Sequence, residues 1–338
     1  MKIILGSRRR HYAARVSVFL VTVALIAGMT GCGTPSQNLE IRDWYDLNAI
    51  RDNLGGSYLL MNDLDSTTAG YEELASATAN EGKGWQPIGI PLYGFTGTFD
   101  GQRYEIRGLF IHRPNENYVG LFGLVDEGGV IENVGVVNVA VTGEEVVGGL
   151  VGHNSGTVSN CYSSGSVTGD ELVGGLAGGN VDTVSNSYST SSVTGGDYVG
   201  GLVGINALAA ELLSYSNSTM IGEGDVGGPM GSNHGTVSNS YSSGSVIGGS
   251  RVGGLVGSSS GTVSNSFWDT VTSGMEESDG GAGKTTSEMQ DIATFTDTST
   301  EGLDEPWDIT AVDAGETNPA YTWNIVHEQT YPFLSWES

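Results

Sequence analysis

The chain repeats itself with a fixed step. Val147-Gly148-Gly149-Leu150-Val151-Gly152 recurs as Val173 to Gly178, Val199 to Gly204, Val226 to Gly231 and Val252 to Gly257, at spacings of 26, 26, 27 and 26 residues. A looser forerunner, Val119-Gly120-Leu121-Phe122-Gly123, lies 28 residues before the first full copy. A second phrase keeps a near-constant offset: Thr157-Val158-Ser159-Asn160-Cys161-Tyr162, then Thr183 to Tyr188, Thr236 to Tyr241 and Thr262 to Phe267. A third closes most units: Ser166-Val167-Thr168-Gly169, Ser192 to Gly195 and Ser245 to Gly248.

Self-similarity at such a period marks a repeat architecture. Each unit offers three short strand-like phrases separated by glycine and polar turn residues. No segment of the repeat has the i, i+3, i+4 apolar spacing of a helix. The expectation is an all-β fold, a β-solenoid with about 26 residues per coil. Each strand then bonds in parallel to the same phrase above and below, at roughly 4.8 Å per coil. Glycine at fixed positions is expected to supply φ > 0 at the corners.

Stacking converts the repeat into columns. Asn133, Asn160, Asn186, Asn239 and Asn265 share one equivalent position; Asn154, Asn180, Asn206 and Asn233 share another, which Ser259 ends. Amides at strand spacing can satisfy one another from coil to coil, which a buried amide needs. Aromatic rings align at Tyr162, Tyr188, Tyr215, Tyr241 and Phe267. Whether this column or Cys161 faces inward is open, because a corner at the asparagine can flip the alternation. In the fourth unit one residue is inserted between Gly204 and Tyr215, and Leu213 takes the place expected for asparagine.

These phrases, with Phe95-Thr96-Gly97-Thr98-Phe99-Asp100-Gly101 and Ile106-Arg107-Gly108-Leu109, resemble the GLUG-motif family of bacterial and archaeal surface proteins. The resemblance takes in Ser57 to Asp65, Trp85 to Gly89, Gly283 to Met289, Trp323 to Ile325 and Tyr331 to Leu334, so it covers roughly residues 40–338. It implies a right-handed parallel β-helix on cell-envelope or secreted proteins, often beside adhesin or protease modules. It implies no catalytic residue in the repeat.

An open solenoid end exposes unpaired strand groups, so caps are expected. Asp46 to Arg51 reads as a short helical cap, stopped by Gly55-Gly56, within a region of first irregular coils over 41–117. The regular repeats run over 118–271, and residues 272–338 form a loop and a C-terminal cap. Ser273 to Gly283 is the polar loop; Trp307, Trp323, Tyr331, Phe333 and Trp336 are the aromatic cap, with a carbohydrate-binding patch as their functional alternative.

Residues 1–31 read as a signal peptide: a basic start, then an apolar run over Val16 to Met29 too short for a membrane span of roughly 30 Å. Met29-Thr30-Gly31-Cys32 resembles a lipobox, which implies lipidation of Cys32 and a tether over 32–40. Beyond that leader the chain carries 8 basic against 39 acidic residues, a formal charge of −31. Such a surface repels phosphate, so nucleic acid and anionic headgroups are poor partners, and membrane contact is expected only through the N-terminal lipid. The expectation is an exported, envelope-anchored monomer whose partner is an extracellular glycan or surface protein.

Chemical signals are sparse. Gly257-Ser258-Ser259-Ser260-Gly261 matches G-x-S-x-G but is a repeat turn, not a strand-to-helix elbow. Gly281-Ala282-Gly283-Lys284-Thr285 resembles the end of a phosphate loop, yet its first glycine is replaced by Ser278. The best signal is a carboxylate column at the repeat boundary, Glu145, Glu171 and Asp197. Such carboxylates can splay into solvent or share Ca²⁺, which prefers several oxygen ligands. No other cofactor is expected. Three functions compete: a non-enzymatic adhesin-like surface module, a structural stalk, and a polysaccharide lyase or hydrolase using groups such as Arg107 and Glu171.

Overall fold

A computed structural model describes residues 38–207 and 211–337. The signal segment 1–31 and Cys32 lie outside the described residues. The chain winds as a parallel β-solenoid with three walls. One coil comprises strands Glu145–Gly148, Val151–Asn154, Thr157–Ser159 and Tyr162–Thr168. The first of these belongs to a five-stranded glycine-side sheet, the second to a six-stranded asparagine sheet, and the last two to a long sheet of nineteen strands. In-register parallel pairs such as Val151↔Ala177↔Val203 and Val158↔Val184 carry each phrase onto its copy in the next coil. Among the described residues no helix is long and apolar enough to cross a membrane.

The tube is filled by aliphatic columns. Val147, Val173, Val199 and Val226 are wholly buried, as are Leu150, Leu176, Leu202 and Leu255. Val167, Val193 and Met220 line another wall. Each such side chain contributes roughly 1.5–3 kcal/mol on burial. These residues are few per coil, so the stack must be continuous to close its core.

The glycines act differently from the sequence expectation. None in the repeated Val-Gly-Gly phrase lies in the left-handed region. The left-handed corners are instead Asn133, Asn160, Asn186, Asn239 and Asn265, at φ 46–55°, and the residues preceding the phrase, Val146, Leu172, Tyr198 and Arg251. Asparagine tolerates αL because its short polar side chain bonds locally. Glycine is needed for room: a Cβ at Gly174 would sit 2.0 Å from the Ala177 carbonyl oxygen.

The fourth coil also differs from expectation. Leu213 pairs with Ser185, and Ser214 with Ser187, so no residue opposes Asn186. The corner asparagine is missing rather than replaced by Leu213. The extra length falls between Asn206 and Glu211, opposite the shorter step from Asn180 to Thr183. Residues 208–210 of that stretch lie outside the described residues.

The N-terminal end begins earlier than the proposed tether allows. Leu39–Ile41 is already a strand, paired in parallel with Ser57–Leu60. A helix over Trp44–Ala49 follows, its N-cap Asp43 accepting from the amides of Tyr45 and Asp46. It buries Trp44 and Leu47 on the tube, where Trp44 meets Trp85 edge to face.

At the other end the roles expected for loop and aromatic segment are exchanged. The polar stretch is the lid on the last coil. Gly254 N–H donates to the Glu277 carbonyl, Leu255 and Val256 N–H to Ser278 Oγ, and Asp279 N–H to the Val256 carbonyl. Ala282–Lys284 then adds a parallel strand to Phe267–Asp269. The aromatic segment, with strands Ile309–Ala311, Trp323–Ile325 and Phe333–Leu334, turns back and lies along the flank of the solenoid.

Candidate functional site

The flank it covers is the tyrosine column. The left-handed asparagine reverses strand alternation, so Cys161 points into the core and Tyr162 points out. Tyr162, Tyr188, Tyr215 and Tyr241 stack with ring centroids 5.0, 4.9 and 4.9 Å apart and planes within 12°. Strand spacing thus sets an offset-stacked array, a favoured aromatic geometry. Trp336 lies against Tyr188 at 5.8 Å, and Tyr331 against Tyr241 at 6.1 Å. Trp323 meets both Tyr215 and Tyr241. Trp307 and Trp323 are buried in this packing, so neither is free to form a carbohydrate-binding patch.

Three tyrosine hydroxyls of the column are tied down. Tyr162 donates to Glu105, Tyr215 to Glu337 Oε2 at 2.9 Å, and Tyr241 to the Pro332 carbonyl at 2.6 Å. The Tyr188 hydroxyl has no protein partner among the described residues. Burial raises all four phenols above their usual range. Burial also lifts the Glu337 carboxyl to about 7, against the opposing bonds from Leu334 N–H and Tyr215.

Where the returning segment lifts away from the column, a cleft of about 540 Å³ opens. Its lining includes the rings of Tyr162, Tyr188, Phe333 and Trp336, and the polar groups of Arg103, Glu105, Asn160, Glu316 and Glu337. A smaller recess of about 260 Å³ lies against Trp336, Asn160, Asn186 and Tyr321. The Trp336 indole is pinned between them, donating to the Asn186 carbonyl at 3.1 Å. Arg103 donates to the Trp336 carbonyl at 3.4 Å. Sequence reading missed this cleft, because nothing in the repeat shows where residues 309–337 return.

The two asparagine columns have different roles. Asn154, Asn180, Asn206 and Asn233 are wholly buried, and each Nδ2 donates to the next coil: 2.8, 2.9 and 3.0 Å, then 3.2 Å to Ser259 Oγ. The other column is not a buried ladder. Asn133, Asn160, Asn186, Asn239 and Asn265 are half-exposed corners. Among the described residues, side-chain bonds along this column link only Asn160 to Asn133, and Asn133 to Asp100, at 3.0 Å each. Asn265 instead accepts from the amides of Asp304 and Glu305. A serine ladder went unnoticed in the sequence: the amides of Cys161, Ser187, Ser214 and Ser240 donate to the hydroxyls of Ser187, Ser214, Ser240 and Ser266 at 3.1–3.3 Å.

Glu145, Glu171 and Asp197 do align by register. They do not converge on an ion: among the described residues no group of three or more His, Cys, Asp or Glu stands close enough to hold one. Glu145 accepts from Asn117 Nδ2, and Asp197 Oδ1 accepts from the amides of Tyr198 and Asp225. Each carboxylate thus has its own partner or faces solvent. Arg107 pairs with Asp63 and Glu105 on the long sheet, whereas Glu171 opens a glycine-side strand. The fold does not bring those two together.

Comparison with known proteins places these observations. A family described as the GLUG motif matches residues 143–168, one coil of the stack. Halomucin of Haloquadratum walsbyi is 37% identical over 149 residues, 42% of this chain and 2% of that protein. A "Putative Gly-rich membrane protein" of Evansella cellulosilytica is 34% identical over 154 residues, 44% of this chain and 17% of that protein. The matched region therefore spans under a fifth of either relative. Among solved structures, a "putative immunoglobulin A1 protease" from Bacteroides ovatus superposes with a TM-score of 0.60 at 18% identity, over 90% of this chain and 94% of that one, a likeness of fold alone. The GLUG motif thus matches one 26-residue coil, residues 143–168, of a chain wound into a β-solenoid.

Proposed function

We propose that this chain is an exported, non-enzymatic surface module of the adhesin type. Lipid on Cys32 holds it to the envelope, and the solenoid presents a long face to glycan, matrix or a neighbouring cell. The observation that carries the reading is the unbroken stack. One wall alone orders nine strands, from Leu39–Ile41 to Thr262–Ser264, by direct parallel pairing. Eight steps at roughly 4.8 Å make a rod of about 38 Å. One asparagine column and one serine column turn inward and bond coil to coil, which yields a stiff element that displays its flank. Two relatives sharing this repeat, one of them named a membrane protein, support envelope placement.

The test is twofold. Protease treatment of intact cells should remove the protein, and Cys32→Ala should shift it from the membrane fraction to the soluble exported fraction. The purified chain should bind members of a glycan and matrix-protein array. Protection in intact cells rejects surface display. An empty array with display intact reduces the role to that of a stalk.

A further inference from the structure

We propose that the cleft between the tyrosine column and the returning C-terminal segment is a binding site for a short, uncharged oligosaccharide. The proposal deepens the surface-module reading and rests on it. Its volume, about 540 Å³, falls in the range of roughly 300–1,000 Å³ typical of small-ligand sites. Its walls combine two things a sugar ring needs. The rings of Tyr162 and Trp336 offer apolar surface for C–H groups, and Tyr188, covered on both faces by its column neighbours, offers its ring edge and hydroxyl. Arg103, Asn160 and the unpartnered Tyr188 hydroxyl offer donors and acceptors for ring hydroxyls.

The charge balance selects the class. Glu105 is neutralised by Arg107 and bonded by Tyr162, Arg103 and the exposed Glu316 add one charge of each sign, and Glu337, lifted to about 7 by burial, is partly protonated at neutral pH. The cleft is thus close to neutral inside a strongly acidic chain, and that exterior field disfavours uronate or sulfated sugars. The rings are also held ready: Trp336 is fixed by its bond to the Asn186 carbonyl, and Tyr188 by stacking on both sides. Little ordering cost remains for a ligand to meet.

The experiment titrates the intact chain with neutral trisaccharides of glucose, xylose and mannose, and with trigalacturonate as the acidic arm. Trp336 is the reporter, since the other five tryptophans are buried. Thr317→Phe fills the cleft from its exposed rim without adding a second reporter indole, and Arg103→Asn removes a donor while tolerating the left-handed backbone there (φ 69°). Thermal melts confirm that both variants fold. A neutral trisaccharide that changes Trp336 emission and binds roughly tenfold or more weakly to each variant supports the site. Binding unchanged in both variants overturns the site but leaves a glycan-binding surface elsewhere on the rod. Preference for trigalacturonate overturns the ligand class. Silence from every saccharide overturns both the site and the glycan arm of the proposed function, and matrix proteins on the array then decide what remains of that function.

Discussion

The Tyr215 hydroxyl donates to Oε2 of Glu337 at 2.9 Å, across 122 residues of sequence. This bond joins the periodic part of the molecule to its aperiodic end. It also puts a carboxyl where water is scarce, between the stacked rings and the last strand.

The docking of the C-terminal segment should therefore depend on pH. Burial raises Glu337 from 4.5 to about 7, so the folded state favours the protonated acid. The resulting stabilisation is full below about pH 4.5 and is lost as pH rises through about 7. A shift of that size corresponds to roughly 3 kcal/mol. Limited proteolysis of the 309–337 region should quicken between pH 5 and 8, and Glu337→Gln should flatten that dependence. Identical profiles for the variant and the parent chain would assign the effect to another group.

The buried amide ladder should be the costliest place to remove one side chain. Asn180 accepts from Asn154 at 2.8 Å and donates to Asn206 at 2.9 Å and to the Asp182 carbonyl at 3.1 Å. Asn180→Ala removes the amide link to both neighbouring coils. Asn154 Nδ2 keeps the Gly156 and Thr183 carbonyls. Asn206 Oδ1 loses the Asn180 donor, a loss that costs roughly 1–3 kcal/mol when buried, in addition to the space left by the side chain. Denaturant unfolding should show a loss of about 2–4 kcal/mol. A loss below about 0.5 kcal/mol would mean that water replaces the amide inside the tube.

The outer asparagines should respond to backbone shape rather than to chemistry. Asn186 sits at φ 47° and is half-exposed. Asn186→Gly keeps access to that conformation and should change stability by only a few tenths of a kcal/mol. Asn186→Val forces a β-branched residue into αL and should cost about 2 kcal/mol or more. Equal effects of the two substitutions on the melting temperature would refute the conformational account.

Cys161 should behave as an inert member of the serine column. It is fully buried, its thiol is pushed up to about 12 by burial, and its Sγ donates to the Ser159 carbonyl. A thiol reagent should label it only under denaturing conditions. Cys161→Ser installs the residue that Ser187, Ser214, Ser240 and Ser266 supply in later coils, and should shift stability by less than about 1 kcal/mol. Fast labelling of the native chain would place this coil in a different packing.

The period of 26 settled by itself that equivalent residues stack. Parallel pairing of identical phrases allows one register, and that register aligns Asn154 with Asn180 and Tyr162 with Tyr188. It could not settle which column faces the core, since that turns on the left-handed φ of one corner residue per coil. The role of the glycines was hidden for a related reason: a close approach such as that of Gly174 to the Ala177 carbonyl exists only once the chain has turned. The ends were less legible still. Residues 273–337 have no period, and their placement rests on contacts such as Trp336 with the Asn186 carbonyl, 150 positions away. Repetition encodes neighbours one coil apart; the returning segment, and the cleft it leaves, were decided by which apolar surface remained uncovered once the coils had closed.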